Sequence, residues 1–144
     1  MRKNLVKNKV KLISASAGFP SPAENYVEEK LNLNSYLIKN KESSFFVRVS
    51  GDSMINVGIF DNDILIVDRS LYPKRQSIVI VSIDGELVIK KLMKDQSKNY
   101  YLKSENSNYP NIKLNSSRDT IIWGVVTYVI HSLSWNYDSF IRLQ

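Results

Sequence analysis

A single dipeptide, Asp84-Gly85, constrains the fold of this chain more than any other feature. It separates two runs rich in apolar residues, Ser77 to Ile83 and Glu86 to Leu92. Asp-Gly supplies the two positive-φ positions of a tight turn, so the runs are predicted to pair as an antiparallel hairpin. Other segments extend the β pattern. Phe45, Val47 and Val49 alternate with Phe46, Arg48 and Ser50, as a half-buried strand does. Ile64-Leu65-Ile66-Val67 is a short apolar run bounded by acids. Tyr100-Tyr101-Leu102, Ile112-Lys113-Leu114 and Thr120 to Ile130 supply further strands. Helix signals are confined to the N-terminal part. Ser21-Pro22-Ala23-Glu24 reads as a capped helix start, followed by Ala23, Tyr26, Val27 and Leu31 at helical spacing. The stretch from Leu33 to Ile38 adds another turn. The expected fold is therefore mainly β, a compact antiparallel β domain with one short helix after a flexible N-terminal arm.

The chain has 144 residues, which is one domain or one domain with an arm. Its net charge of +6 invites a nucleic-acid partner, but the distribution argues otherwise. Residues 1–17 hold Arg2, Lys3, Lys7, Lys9 and Lys11 with no acid, whereas residues 18–144 hold fifteen bases against fourteen acids. The body is almost neutral and the arm is basic. The arm ends in Ser14-Ala15-Ser16-Ala17-Gly18, small residues with little to pack, and is expected to be extended and exposed. The organisation expected is an arm over residues 1–17 and a β domain over residues 18–144. No apolar run reaches the roughly 18 residues of a membrane span, and Leu12-Ile13 is too little for a secretory signal. The absence of cysteine excludes disulfides, thiolate metal sites and cysteine nucleophiles, and fits a reducing, cytoplasmic setting. With one histidine, His131, a histidine-cluster metal site is excluded too, and no cofactor is expected.

The segment Val49-Ser50-Gly51-Asp52-Ser53-Met54 leaves a strand and presents a serine at a turn. Gly51 permits an unusual backbone there, so adjacent N–H groups can converge around a reacting oxygen. A serine nucleophile needs a base within hydrogen-bond reach. His131 follows an apolar strand and is read as structural, which leaves Ser-Lys as the remaining serine-peptidase chemistry. Lys90 and Lys91 stand on the return strand of the hairpin, one on each face. Both faces are apolar, so alternation does not choose between them. Asp52 is read as shaping the turn, and Tyr100, Tyr101 and Tyr109 as packing of the β domain.

Taken together, these motifs resemble the LexA/UmuD family of self-cleaving serine peptidases, from Ala17 to about Ile130. The segments that carry the likeness are Ala17-Gly18-Phe19-Pro20-Ser21-Pro22-Ala23, Val49 to Met54, and Asp61-Asn62-Asp63-Ile64-Leu65-Ile66-Val67-Asp68. Asp84-Gly85-Glu86, Val88-Ile89-Lys90-Lys91-Leu92 and Gly124-Val125-Val126 continue it. The resemblance implies the signal-peptidase-like fold, Ser53 as nucleophile and Lys90, rather than Lys91, as general base. It also implies that the chain cuts itself between Ala17 and Gly18. UmuD commonly has cysteine before that glycine, and alanine is the LexA-like choice. The implied setting is the SOS response: a homodimer whose self-cleavage is promoted by the RecA–single-stranded-DNA filament. The shortened form would then act with a UmuC-type error-prone DNA polymerase in translesion synthesis. The alternative is a LexA-like repressor or DNA-binding regulator using the basic arm. Sixteen or so residues cannot make a helix-turn-helix, and no sequence-specific DNA binding or membrane attachment is expected.

Overall fold

The computed structural model describes residues 10–18, 27–114 and 119–134. The chain forms two compact units that divide between Lys39 and Asn40. In the first, β1 (Val10–Ile13) and β2 (Val27–Leu31) pair antiparallel, with Val10 opposite Leu31 and Ile13 opposite Val27. Helix α1 (Leu33–Leu37) follows, capped by Asn32, whose side-chain oxygen accepts the Ser35 N–H at 3.3 Å.

The helix expected to run on from Ser21 is not what residues 27–31 form. Its capping residues, Ser21 to Glu24, lie outside the described residues. Val27 and Leu31 fit a helical period, but a spacing of four also puts both on one face of a strand, and the charged run Glu28-Glu29-Lys30 between them favours neither. A five-residue stretch gains too few intrahelical bonds to repay nucleation, whereas pairing with β1 satisfies its main chain directly. The helix that does form is the turn expected after Leu33.

The second unit is built on one antiparallel sheet of seven strands. These are β3 (Ser44–Arg48), β4 (Ile64–Asp68), β5 (Ile78–Ile83), β6 (Glu86–Lys94), β7 (Tyr100–Lys103), β8 (Ile112–Lys113) and β9 (Thr120–Ile130). Their order is β3-β4-β9-β5-β6-β7-β8, so the last strand inserts between β4 and β5. The hairpin forms where Asp-Gly demands it. Ile83 faces Glu86, and both turn residues have positive φ, 51° at Asp84 and 85° at Gly85.

Strand β5 is apolar along most of its length because both of its faces are covered. Ile80 joins Val49, Met54, Ile59, Leu65 and Val67 in one core. Val79, Val81 and Ile83 point the other way, into a second core with Leu92 and Leu102. At the end of β4, buried Asp68 accepts hydrogen bonds from Asn40, Ser43 and Ser70 and so ties the start of the unit to the sheet. Burial alone would raise its carboxyl pKa, but these bonds outweigh it and hold the group at about 2.

Gly124 lies on β9 against the end of β4. A Cβ there would lie 2.7 Å from Val67 Cγ1 and 3.1 Å from the Asp68 carbonyl oxygen. Neither neighbour has room, since Val67 is fully buried and the carbonyl belongs to the backbone. Gly124→Ala is expected to destabilise the fold by about 1–3 kcal/mol through overpacking. Denaturant unfolding checks this, and a midpoint equal to wild type would show that the strands can separate at no cost.

Candidate functional site

The turn that carries Ser53 begins where β3 ends. Val49 donates its N–H to the Asp63 carbonyl and accepts the Asn62 N–H, so the strand is pinned one residue before the turn starts. Gly51 then adopts a φ of 94°, a conformation a β-carbon would strain, and its N–H is received by Asp61 Oδ1 at 2.8 Å. Ser53 follows, half-buried, and Met54 drops into the core at 1% exposure, starting a short 3-10 turn over Ile55–Val57. Met54 is thus the peg beneath the turn and Ser53 the residue held above it.

Lys90 reaches the same place from β6. A cleft of about 380 Å³ is lined by Ser53 and Lys90 together, with Gly51 and Asp52 from the turn, Val47 from β3, Val49 just beyond it, and Leu87 to Ile89 from β6. Lys90 is 7% exposed, and burial pushes its ammonium below the ordinary lysine pKa of 10.5. Its Nζ donates to Ser104 Oγ at 2.5 Å and stands 5.7 Å from the centre of the Tyr109 ring. Among the described residues no hydrogen bond joins Ser53 to Lys90. Lys91, the other lysine of the pair, is engaged elsewhere, with its Nζ 3.3 Å from Glu105 Oε1.

The loop after β7 closes one side of the cleft. Asn106 Nδ2 donates to the Asp52 carbonyl at 3.0 Å, and the Tyr109 hydroxyl donates to Asp52 Oδ1 at 2.8 Å. Asn56 N–H reaches the Glu105 carbonyl at 2.9 Å. Asp52 therefore links the serine turn to this loop rather than only shaping the turn from within. Tyr109 corrects the expectation that it packs the β domain. It lies between β7 and β8, outside any strand, and its hydroxyl is spent on Asp52. The bond to Asp52 and the charge of that carboxylate raise the phenol pKa above 10.0. Ser104 was not singled out by the sequence, although the register between β6 and β7 would have placed it beside Lys90. Glu105-Asn106 and Tyr109-Pro110 read in the sequence as a loop between strands, which is where they lie.

His131 lies off the cleft, with Nδ1 2.5 Å from Asp63 Oδ1 and its ring against Phe60. Ala17 and Gly18 belong to the first unit and are exposed, and Gly18 N–H donates to Ser16 Oγ at 3.2 Å. Among the described residues no helix is long and apolar enough to cross a membrane.

A family model matches most of this chain. The model described as Peptidase S24-like matches residues 10–127. The chain belongs to the Peptidase S24-like family. It is 42% identical to protein ImpA of Salmonella typhimurium over 115 residues, covering 80% of this chain and 77% of that one. Protein MucA of Escherichia coli is 40% identical over 114 residues, 78% of this chain and 77% of that protein. The LexA repressor of Caldicellulosiruptor saccharolyticus is 41% identical over 80 residues, 56% of this chain but only 39% of that protein. Within the Peptidase S24-like family the chain is UmuD-like, and membership makes it a serine peptidase of the self-cleaving type.

The contact between turn and loop can be read spectroscopically. In an alkaline titration followed by tyrosinate absorbance, Tyr109→Phe is expected to remove a transition lying above pH 10.0. Asp52→Asn is expected to move that transition down toward the ordinary tyrosine value. A Tyr109 transition insensitive to Asp52 would show that the two side chains do not meet in solution.

Proposed function

We propose that this UmuD-like protein of SOS mutagenesis cuts its own chain between Ala17 and Gly18, with Ser53 as nucleophile and Lys90 as general base. The observation that carries the reading is the shared cleft, in which a half-buried turn serine meets a lysine that burial inclines toward its neutral form. A lysine acts as a base only when neutral, and burial among apolar neighbours favours that form.

Neutral Lys90 takes the proton of Ser53 Oγ as that oxygen attacks the Ala17 carbonyl carbon. The tetrahedral intermediate collapses when Lys90 returns the proton to the Gly18 nitrogen, which leaves as the new N-terminus. Water then gives a proton to Lys90 as it attacks the Ser53 ester, and Lys90 passes that proton to the departing Ser53 Oγ, freeing the carboxyl group at Ala17 and restoring both residues. In the turn, the Gly51 N–H is held by Asp61 and the Ile55 N–H by the Asp52 carbonyl. The N–H groups of Asp52, Ser53 and Met54 remain as the candidates for holding the oxyanion. The substrate segment suits the geometry. Ala17 asks only for a small pocket, and Gly18 lets the chain bend. Beside Lys90, β6 pairs with β7 only from Lys91 onward, so among the described residues its earlier edge is left for an extended peptide.

Cleavage there would remove five basic side chains and no acid, and so take the side-chain balance from +6 to +1. We read the regulatory setting as that of UmuD: a homodimer, promoted to cleave by the RecA–single-stranded-DNA filament and then joined to a UmuC-type polymerase. The filament would act by favouring the docked arm, since the chemical groups are already in the chain.

The test follows the mass of the purified protein over time across a pH series. Loss of residues 1–17 is expected to quicken with pH and to reach half its maximal rate below pH 10.5, because Lys90 must lose a proton whose pKa is lowered. Ser53→Ala and Lys90→Ala are each expected to slow cleavage by about 10³-fold or more. Adding activated RecA filament should raise the rate near neutral pH in wild type alone. Cleavage that survives both substitutions would overturn the dyad.

A further inference from the structure

We propose that Ser104 is the positioning residue of the general base, its Oγ holding one N–H of the Lys90 amine so that the lone pair faces the cleft. The inference rests on Lys90 being the base. It goes beyond that reading by asking what aims a long and flexible side chain that could otherwise turn many ways.

The register explains how Ser104 comes to be there. Strands β6 and β7 pair with Lys91 opposite Lys103, and one step further brings Lys90 and Ser104 together across the ladder. The resulting bond, 2.5 Å from Nζ to Oγ, is buried, with Lys90 at 7% and Ser104 at 3% exposure. That burial decides the role of the serine. A hydroxyl so enclosed cannot meet a peptide carbonyl, so Ser104 is no rival nucleophile to half-buried Ser53.

The hydrogen-bond inventory gives the contact its direction. An ammonium can only donate, so Ser104 Oγ must be the acceptor while Lys90 is charged. When Lys90 gives up the proton that faces the cleft, the N–H toward Ser104 stays engaged and the lone pair is left pointing at the cleft. The loop that carries Ser104 is fixed to the serine turn by its next residues. Glu105 accepts the Asn56 N–H on its carbonyl, and Asn106 holds the Asp52 carbonyl. One loop thus sets the position of the base and of the nucleophile's turn.

The charged groups nearby are otherwise occupied. Glu105 faces Lys91 at 3.3 Å and Lys103 at 3.8 Å, and Asp52 is bonded to Tyr109. Across β6, the residue opposite Lys90 on β5 is Val79, which offers no charge.

The experiment compares the pH profile of self-cleavage in wild type, Ser104→Ala, Ser104→Thr, Lys90→Ala and Ser107→Ala, with the melting temperature of each. Ser104→Ala is expected to lower the maximal rate by about 10- to 100-fold, since misplacing a reacting group by roughly 1 Å can cost about 10²-fold. Its midpoint should move to lower pH, because the charged amine has lost an acceptor. A general loosening of the fold would not shift the midpoint in that direction. Ser104→Thr keeps the hydroxyl and should restore both rate and midpoint. Ser107→Ala, in the same loop, should behave as wild type.

The inference fails if Ser104→Ala cleaves at the wild-type rate with an unchanged midpoint while Lys90→Ala is inactive. It fails equally if Ser104→Thr is as slow as Ser104→Ala while both melt near wild type. Should Ser104→Ala be unfolded at the assay temperature, the Ser104→Thr profile decides. Cleavage by Lys90→Ala would instead overturn the reading on which the inference rests.

Discussion

The burial of one amine is the condition on which this site depends. An ammonium taken out of water loses hydration that a single hydroxyl cannot replace, and the neutral amine is favoured in consequence. Each unit by which the pKa falls is about 1.4 kcal/mol of preference for the neutral form. Lys90 is buried, and among the described residues no carboxylate is hydrogen-bonded to its amine. Lys91, one residue on, meets Glu105 and shows what an ordinary ion-paired lysine looks like in the same strand. The contrast between adjacent lysines separates a buried amine from an ion-paired one.

The rest of the second unit can be read as what it takes to hold that amine beside a serine. The Asp-Gly hairpin fixes β6 against β5, and β7 fixes the register that sets Ser104 opposite Lys90. The serine arrives from the other side of the sheet order, at the end of β3, held by the pairing of Val49 with Asn62 and Asp63. Two hydrogen bonds to Asp52 then join that turn to the loop after β7. Neighbours far apart in sequence are brought together by ladders and short loops, each with its own local cause.

Much of this was legible in the residues, and the exceptions are informative. Period-2 alternation and the Asp-Gly turn located the strands of the sheet, because such signals are local and the main chain obeys them. The motif around Ser53 and the lysine pair pointed to a Ser-Lys arrangement, but both faces of β6 are apolar and the strand pattern could not choose between the lysines. Burial and partners, which belong to tertiary structure, distinguish them. The helix expected through Val27 and Leu31 was lost to pairing with β1, a partner far enough away in sequence to leave no local sign. The bond from Tyr109 to Asp52 and the place of Ser104 beside Lys90 were missed for a related reason. Each residue acts through a contact with another at least fourteen positions away, and neither sits in a motif of its own.

The central claim is that burial lowers the pKa of Lys90, and direct titration of its amine tests this most closely. The protein would carry Ser53→Ala to prevent cleavage and lysines labelled with ¹³C at Cε. A second sample with Lys90→Ala would identify the Lys90 signal. The account predicts that this signal titrates below 10.5, apart from the exposed lysines. A Lys90 signal titrating with the others, or above them, would contradict it.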